Sequence, residues 1–338
     1  MTTARRSRWT RSHRPWRTAA VTLAGLAVLA SCAPQPDAEP ASSDRPTSAE
    51  ARRERRRSRN TTTTTTPPKA GAPTPSPPTT APPTTPTAPP VSNGTLPLGP
   101  AGASGTWKLK FADEFDGTSL DLTKWRPNWF GSSNSSVTRP INDYEDSCYD
   151  PAQVKVSGGS LHLTAVKLSS PKAGCTTKDG RSASYASGMV MGDERYNFTY
   201  GYLEARIFLP GGGGTPENWA AFWANGENWP RTGEIDVMET LGGEPRWHFH
   251  YEASGQHRST GSRFDLITPK TGWHTFGVLW EAGKLTFYYD GREVGSTTAG
   301  VTSAPMYMIL NHGVSNYISG PIVAPSTMQV DYVRHWQR

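Results

Sequence analysis

Gly233-Glu234-Ile235-Asp236-Val237-Met238-Glu239 places three carboxylates within six positions, interleaved with the apolar residues Ile235, Val237 and Met238. In a regular strand, side chains alternate between faces, so Glu234 and Asp236 share one face about 6–7 Å apart along the backbone. Glu239 lies at an odd offset from Glu234 and would point the other way. One extra residue, a β-bulge at Val237 or Met238, returns it to the face of the other two. Three carboxylates on one sheet face repel each other. Stability gives no reason to gather them there, whereas acid/base chemistry does.

The spacing suits one reaction in particular. A retaining glycosidase needs two carboxyl groups about 5–5.5 Å apart, one as nucleophile and one as general acid/base. Glu234 and Glu239 reach that separation if the strand is concave. Asp236 between them can hydrogen-bond the nucleophile and help keep one proton on the acid, because like charges push neighbouring pKa values apart. The segment alone leaves open which glutamate attacks. It also leaves open a solvated strand face that is merely acidic.

The chain around this segment is divided sharply by composition. Residues 1–18 carry six arginines and no acid, and residues 19–30 form an apolar run too short to span a bilayer as a mature helix. The run ends in Leu29-Ala30-Ser31-Cys32, which resembles a bacterial lipoprotein signal. That resemblance implies a signal peptide over residues 1–31, and a lipidated Cys32 that anchors the protein outside the cytoplasmic membrane. Residues 32–104 hold a basic run at 52–59 and then a Pro/Thr-rich stretch with almost no apolar mass, an extended stalk rather than a domain.

The basic overall balance is therefore misleading. Of 35 Lys+Arg, 14 lie before Gly105, against 5 of the 29 Asp+Glu, so the first 104 residues carry nine surplus positive charges. The remainder has 21 basic against 24 acidic residues. Nucleic-acid binding needs the basic residues on the folded domain, and here they lie on the signal and stalk. The arginines at 52–59 can instead meet anionic lipid headgroups. With Cys32 acylated, Cys148 and Cys175 remain as a pair in an exported domain, and a disulfide between them is expected. A zinc site is not expected, since neither cysteine has a second ligand at the usual spacing.

Residues 105–338 read as strands. Alternating or β-rich runs recur at 153–156, 161–166, 202–208, 247–251, 274–280, 285–289, 306–310 and 328–336, separated by turns such as Ser157-Gly158-Gly159 and Tyr289-Asp290-Gly291-Arg292. There is no amphipathic run long enough for a substantial helix. Many short strands imply an all-β sandwich of two packed antiparallel sheets. Ten of the twelve tryptophans fall here, enough to fill a core and still leave rings for stacking on sugars.

These residues resemble glycoside hydrolase family 16. The resemblance rests on Phe111-Ala112-Asp113-Glu114-Phe115-Asp116-Gly117 with Lys124-Trp125, and on Ala186-Ser187-Gly188-Met189. It continues through Tyr200-Gly201-Tyr202-Leu203-Glu204-Ala205-Arg206 and Trp219-Ala220-Ala221-Phe222-Trp223, with Trp229-Pro230 preceding the acidic segment. It implies a jelly roll with a concave substrate cleft and an endo-acting retaining mechanism. Glu234 would be the nucleophile, Glu239 the general acid/base and Asp236 the assisting carboxylate. The spacing with Met238 inserted is that of the family's bulged, laminarinase-like branch. On this reading Met238 aims Glu239 into the cleft, and removing it turns Glu239 away.

The same resemblance implies further contacts. Trp219, Trp223 and Trp229 would stack sugars, His250, which shares a strand face with His248, would approach the reacting sugar, and Asn142 and Glu145 would line the cleft. Glu114, Gly159 and Asp331 would hold a structural calcium by side-chain or backbone oxygens; the chemistry itself needs no cofactor. The expected function is an endo-β-glucanase on β-1,3 or mixed β-1,3/1,4-glucan, monomeric and lipid-anchored. The rival readings are a transglycosylase of envelope polysaccharide, a galactan hydrolase and a non-catalytic carbohydrate-binding protein.

Overall fold

A computed structural model describes residues 99–264 and 269–338. The signal, Cys32 and all of the stalk before Gly99 lie outside the described residues. No helix among the described residues is long and apolar enough to cross a membrane. The strands run in chain order as β1 (Lys108–Asp113), β2 (Ser147–Tyr149), β3 (Val154–Ser157), β4 (Ser160–Lys167), β5 (Tyr185–Ser187) and β6 (Met189–Met191). They continue as β7 (Asn197–Phe198), β8 (Gly201–Leu209), β9 (Trp219–Gly226), β10 (Glu234–Leu241), β11 (Glu244–Ala253) and β12 (Gln256–Arg263). The last are β13 (Gly272–Glu281), β14 (Lys284–Tyr289), β15 (Arg292–Thr297), β16 (Met306–Gly313) and β17 (Ser326–Gln337). The helical content described is one short 3-10 turn, Pro151–Gln153, capped by the Asp150 side chain.

The strands form two sheets. One has ten strands, with the path β15-β14-β13-β8-β17-β4-β5-β2, β1 beside β17 and β3 beside β4. The other has seven, with the path β12-β11-β10-β9-β16-β6 and β7 beside β16. All eight expected runs lie on strands, save that Gln153 closes the 3-10 turn before β3, and the two quoted turns close tight hairpins. Tyr289 pairs with Arg292 across Asp290 and Gly291, whose φ values of 45° and 72° are the left-handed pair that a two-residue hairpin of matching twist requires. β12 was not legible. Its sequence Gln-His-Arg-Ser-Thr-Gly-Ser-Arg has no apolar phase, and it forms by pairing along eight positions of β11 at the sheet edge.

Alternation sorts the two faces of the seven-stranded sheet. Ala220, Phe222 and Ala224 of β9, Ile235 of β10, Phe249 of β11 and Met306, Met308 and Leu310 of β16 enter the main core. They meet Leu203, Ala205, Ile207 and Leu209 of β8 there. The opposite phase carries Trp219, Trp223 and Asn225 on β9, Tyr307 and Asn311 on β16, and the carboxylates of β10. This second face is roofed by Ile141, Tyr149 and the half-buried Trp129, which pack with Trp223 and Ile309.

The bulge is present, with one correction. Against β9 the pairing steps from Asp236–Trp223 to Met238–Phe222, so Val237 is the residue without a counterpart. Val237 and Met238 both turn into the core, and Glu239 regains the cleft face opposite Ala221. The expectation that Met238 is the inserted residue, and that its loss would turn Glu239 away, is overturned by the register. β9 spans Glu234 to Glu239 in five residues, Asn225 to Ala221, where β10 uses six. A β10 shortened by one would alternate regularly and keep Glu239 on the same face.

Candidate active site

β10 lies inside the sheet between β9 and β11, so its carboxylates are buried: Glu234 is 0 % exposed, Asp236 3 % and Glu239 2 %. Carboxylate oxygens of Glu234 and Asp236 lie within 4.8 Å of each other and of a ring nitrogen of His250. The same holds for Asp236, Glu239 and His248. Asp236 thus bridges the two glutamates. Burial at this depth penalises every charge, and each group is ionised only to the extent that its partners compensate.

The compensation is uneven. Glu239 has both oxygens engaged: His248 Nδ1 lies 2.6 Å from Oε1, and Trp219 Nε1 donates to Oε2 at 3.1 Å. Burial alone would raise its pKa, but the hydrogen bond and charge of His248 outweigh that, and Glu239 is held below the usual glutamate range. Asp236 has His250 Nε2 at 3.4 Å, longer than a hydrogen bond. Burial, followed by the neighbouring Glu239 charge, pushes its carboxyl well above the usual range. Within the trio a proton is therefore favoured on Asp236 over Glu239, whose charged form His248 supports. A general acid must carry a proton, and the titratable side chain in hydrogen-bonding contact with Glu239 is His248, at 2.6 Å.

A second histidine layer backs His250. Its Nδ1 lies 2.8 Å from His257 Nε2, and the two rings stack 5.0 Å apart. Trp229 packs over His257 at 4.7 Å and is 6.5 Å from His250, at the rim rather than among the carboxylates. Trp219 and Trp223 do line the carboxylate cleft, as do Asn142 and Glu145. Glu145 accepts from Tyr149 Oη at 2.6 Å, from the Ile141 amide at 3.2 Å and from Asn142 Nδ2 at 3.3 Å. Burial still dominates and pushes its carboxyl up to about 7.

Three cleft residues were not assigned from the sequence. His248 was noted only as sharing a face with His250, and its closeness to Glu239 follows from the bulge. Asn311, which accepts from Trp223 Nε1 at 2.8 Å, is a polar residue in the cleft phase of an otherwise apolar strand, a signal that was available. Tyr149 reaches the cleft from β2, far away in sequence.

The calcium expectation is corrected for its two side-chain ligands. β17 pairs Val330 with Leu161 and Val333 with Asp113, which brings the backbone at Glu114, Gly159 and Asp331 together. The carboxylates, however, face guanidinium groups. Arg334 grips both oxygens of Glu114, at 2.9 and 2.7 Å, and Arg206 holds Asp331 at 2.8 Å. Two carboxylates already neutralised by two fixed cations do not suit a divalent ion. The expected Cys148–Cys175 disulfide is formed.

A two-sheet sandwich with a buried carboxylate trio under a tryptophan-lined cleft defines a class of carbohydrate-active domain. The chain belongs to glycosyl hydrolases family 16, whose description matches residues 142–334. It is 29% identical over 286 residues to a glucan endo-1,3-beta-glucosidase A1 of Niallia circulans, covering 72% of this chain and 39% of that protein. It is 28% identical over 246 residues to the endo-1,3-1,4-beta-glycanase EglC of Rhizobium meliloti, covering 66% and 50%. The chain thus spans half or less of these relatives' own length. The endo-beta-1,3-glucanase structure from Pyrococcus furiosus superposes with a TM-score of 0.59 at 24% identity, over 72% of this chain and 98% of that one, a likeness of fold.

Proposed function

We propose that the chain is an endo-acting, retaining β-glucan hydrolase for β-1,3 or mixed β-1,3/1,4-glucan. The observation that carries this reading is the gathering of three buried carboxylates on one cleft face, with Asp236 in reach of both glutamates. Glu234 Oε attacks the anomeric carbon, the glycosidic C–O bond breaks, and Glu239 passes a proton to the leaving oxygen. His248 supplies that proton to Glu239 through their contact. Water then attacks the glycosyl ester, Glu239 takes the water's proton, and Glu234 leaves as a carboxylate. Asp236, held neutral, can donate to Glu234 as it develops charge. Trp219 and Trp223 offer stacking faces for the glucan. The two relatives' names, a 1,3- and a 1,3-1,4-glucanase, support the substrate class.

The protein acts as a monomer outside the cytoplasmic membrane, tethered by acylated Cys32 on its Pro/Thr-rich stalk. The lipoprotein-like signal supports the anchor, and Cys32→Ser should release the protein from membranes; continued membrane binding would sink it. Tethering also makes transglycosylation of an envelope polysaccharide a second reading, in which a sugar hydroxyl replaces water in the second step.

Incubation with laminarin, lichenan, agarose and carrageenan, followed by sizing of the products, tests substrate and endo action together. Cleavage of none of them would reject hydrolysis of these polymers. Glu234→Ala should abolish turnover, and added azide should restore it as the α-glycosyl azide. Near-native turnover by that variant would reject Glu234 as nucleophile.

A further inference from the structure

A second cavity, of about 290 Å³, opens beside the carboxylates on the same sheet face. Asn225 pairs directly with Glu234 in the ladder and with Tyr307 on β16, so the cavity floor continues the cleft past Glu234. One wall is aromatic. Trp129 stacks on the cleft residue Trp223, with ring centres 6.0 Å apart at 25°. Phe130 meets Tyr307 edge-on at 6.2 Å and is 48 % exposed, leaving ring surface open to a ligand.

Most of the polar atoms here are acceptors. Asn225 is 1 % exposed and uses its Nδ2 on Tyr307 Oη at 3.2 Å, but its Oδ1 is buried without a hydrogen-bond partner. A buried acceptor left in that state is costly, and a ligand that brings a donor relieves it. The rest of the rim is carboxylate: Asp193, Glu194 and Glu227. Arg126 neutralises Glu194 at 3.0 Å, and among the described residues no basic side chain lines the cavity to balance the other two.

We propose that this cavity is a further saccharide subsite on the Glu234 side of the cleft, built to take an uncharged pyranose unit and to reject a sulfated or uronic one. The proposal rests on the glucan hydrolase reading and deepens it to a substrate class. A pyranose offers an apolar face to the aromatic wall and hydroxyl donors to Asn225 Oδ1 and the carboxylates. A sulfate or carboxylate substituent offers acceptors alone. It would enter a low-dielectric recess already carrying like charge, with no cation to meet it.

The test uses the full-length chain and two variants outside the carboxylate trio. Phe130→Asn removes the aromatic wall with a residue that tolerates the local φ of 49°. Glu227→Lys reverses the charge at an exposed rim position. Phe130→Asn should lower kcat/KM about tenfold on a long neutral gluco-oligosaccharide, the effect of losing about 1.4 kcal/mol of binding. It should leave a short one, which ends before the cavity, unchanged. Glu227→Lys should raise kcat/KM on carboxymethylated glucan relative to unmodified glucan, and added salt should erase the gain. Equal losses on short and long substrates, or no loss on either, overturn the subsite. An unchanged preference in Glu227→Lys overturns the charge selection. If the unaltered chain cleaves no glucan of any length, the hydrolase reading itself fails and the subsite falls with it.

Discussion

Deleting Val237 is the sharpest test of how β10 presents its acids. Val237 and Met238 are both fully buried in the core, and Val237 is the residue without a partner on β9. Its removal takes one valine side chain from the core. That costs about 1.5–3 kcal/mol in transfer terms, or about 2–4 kcal/mol with the residual cavity. The distance between Glu234 and Glu239 is fixed by the five residues of β9 from Asn225 to Ala221, so it should persist, along with the contacts of Glu239 to His248 and Trp219. The shortened variant should therefore unfold at lower urea concentration and still hydrolyse glucan within about a hundredfold of the parent, less than the 10²–10⁴ that general acid–base catalysis contributes. The alternative, in which Glu239 turns inward, would drive a carboxylate among Phe222 and Phe249 at a cost of several kcal/mol. Urea unfolding followed by tryptophan fluorescence, with initial rates on laminarin, separates the two. A folded variant that has lost about 10⁴ in rate on laminarin, yet keeps its rate on a dinitrophenyl glycoside needing no acid assistance, would refute the register argument.

His248→Gln keeps a hydrogen-bond donor near Glu239 but removes the imidazole. Burial then dominates at Glu239 and its pKa rises, so the limb of the pH–rate profile governed by that group should move to higher pH. Superimposable profiles for parent and variant would show that His248 does not set its ionisation. Glu145 has a folded-state pKa of about 7 against an ordinary 4.5, so folding favours its protonated form. That stabilisation is complete below about pH 4.5 and is lost as pH rises through 7; it amounts to about 3 kcal/mol. Glu145→Gln, which stays neutral, should flatten the pH dependence of unfolding across that window, and an unchanged slope would contradict the assignment. Reducing Cys148–Cys175, which closes 27 residues of chain, should cost about 3 kcal/mol in urea unfolding; stability unaffected by reductant would mean the loop is restrained by other contacts.

The sequence by itself determined what is periodic or local. Period-two alternation in β8 declares that Leu203, Ala205, Ile207 and Leu209 face the core, because a strand with the wrong phase would bury Glu204 and Arg206 there. Tyr289-Asp290-Gly291-Arg292 declares its hairpin, because few residues accept two successive positive φ values. Glu234, Asp236 and Glu239 announce their chemistry by an acidic density that no core would choose. Tertiary structure alone decided the matters that depend on partners distant along the chain. β12 has no pattern of its own and forms because β11 offers it an edge. Glu114 and Asp331 look like cation ligands until Arg334 and Arg206 are folded against them. Met238 looked like the extra residue of the bulge, but the count that matters is on β9, and it falls on Val237. The proton balance of the site is also a tertiary property. Glu239 and Asp236 are similar carboxyls at similar depth, and their pKa values are pushed apart chiefly because His248 approaches Glu239 to 2.6 Å while His250 stays 3.4 Å from Asp236.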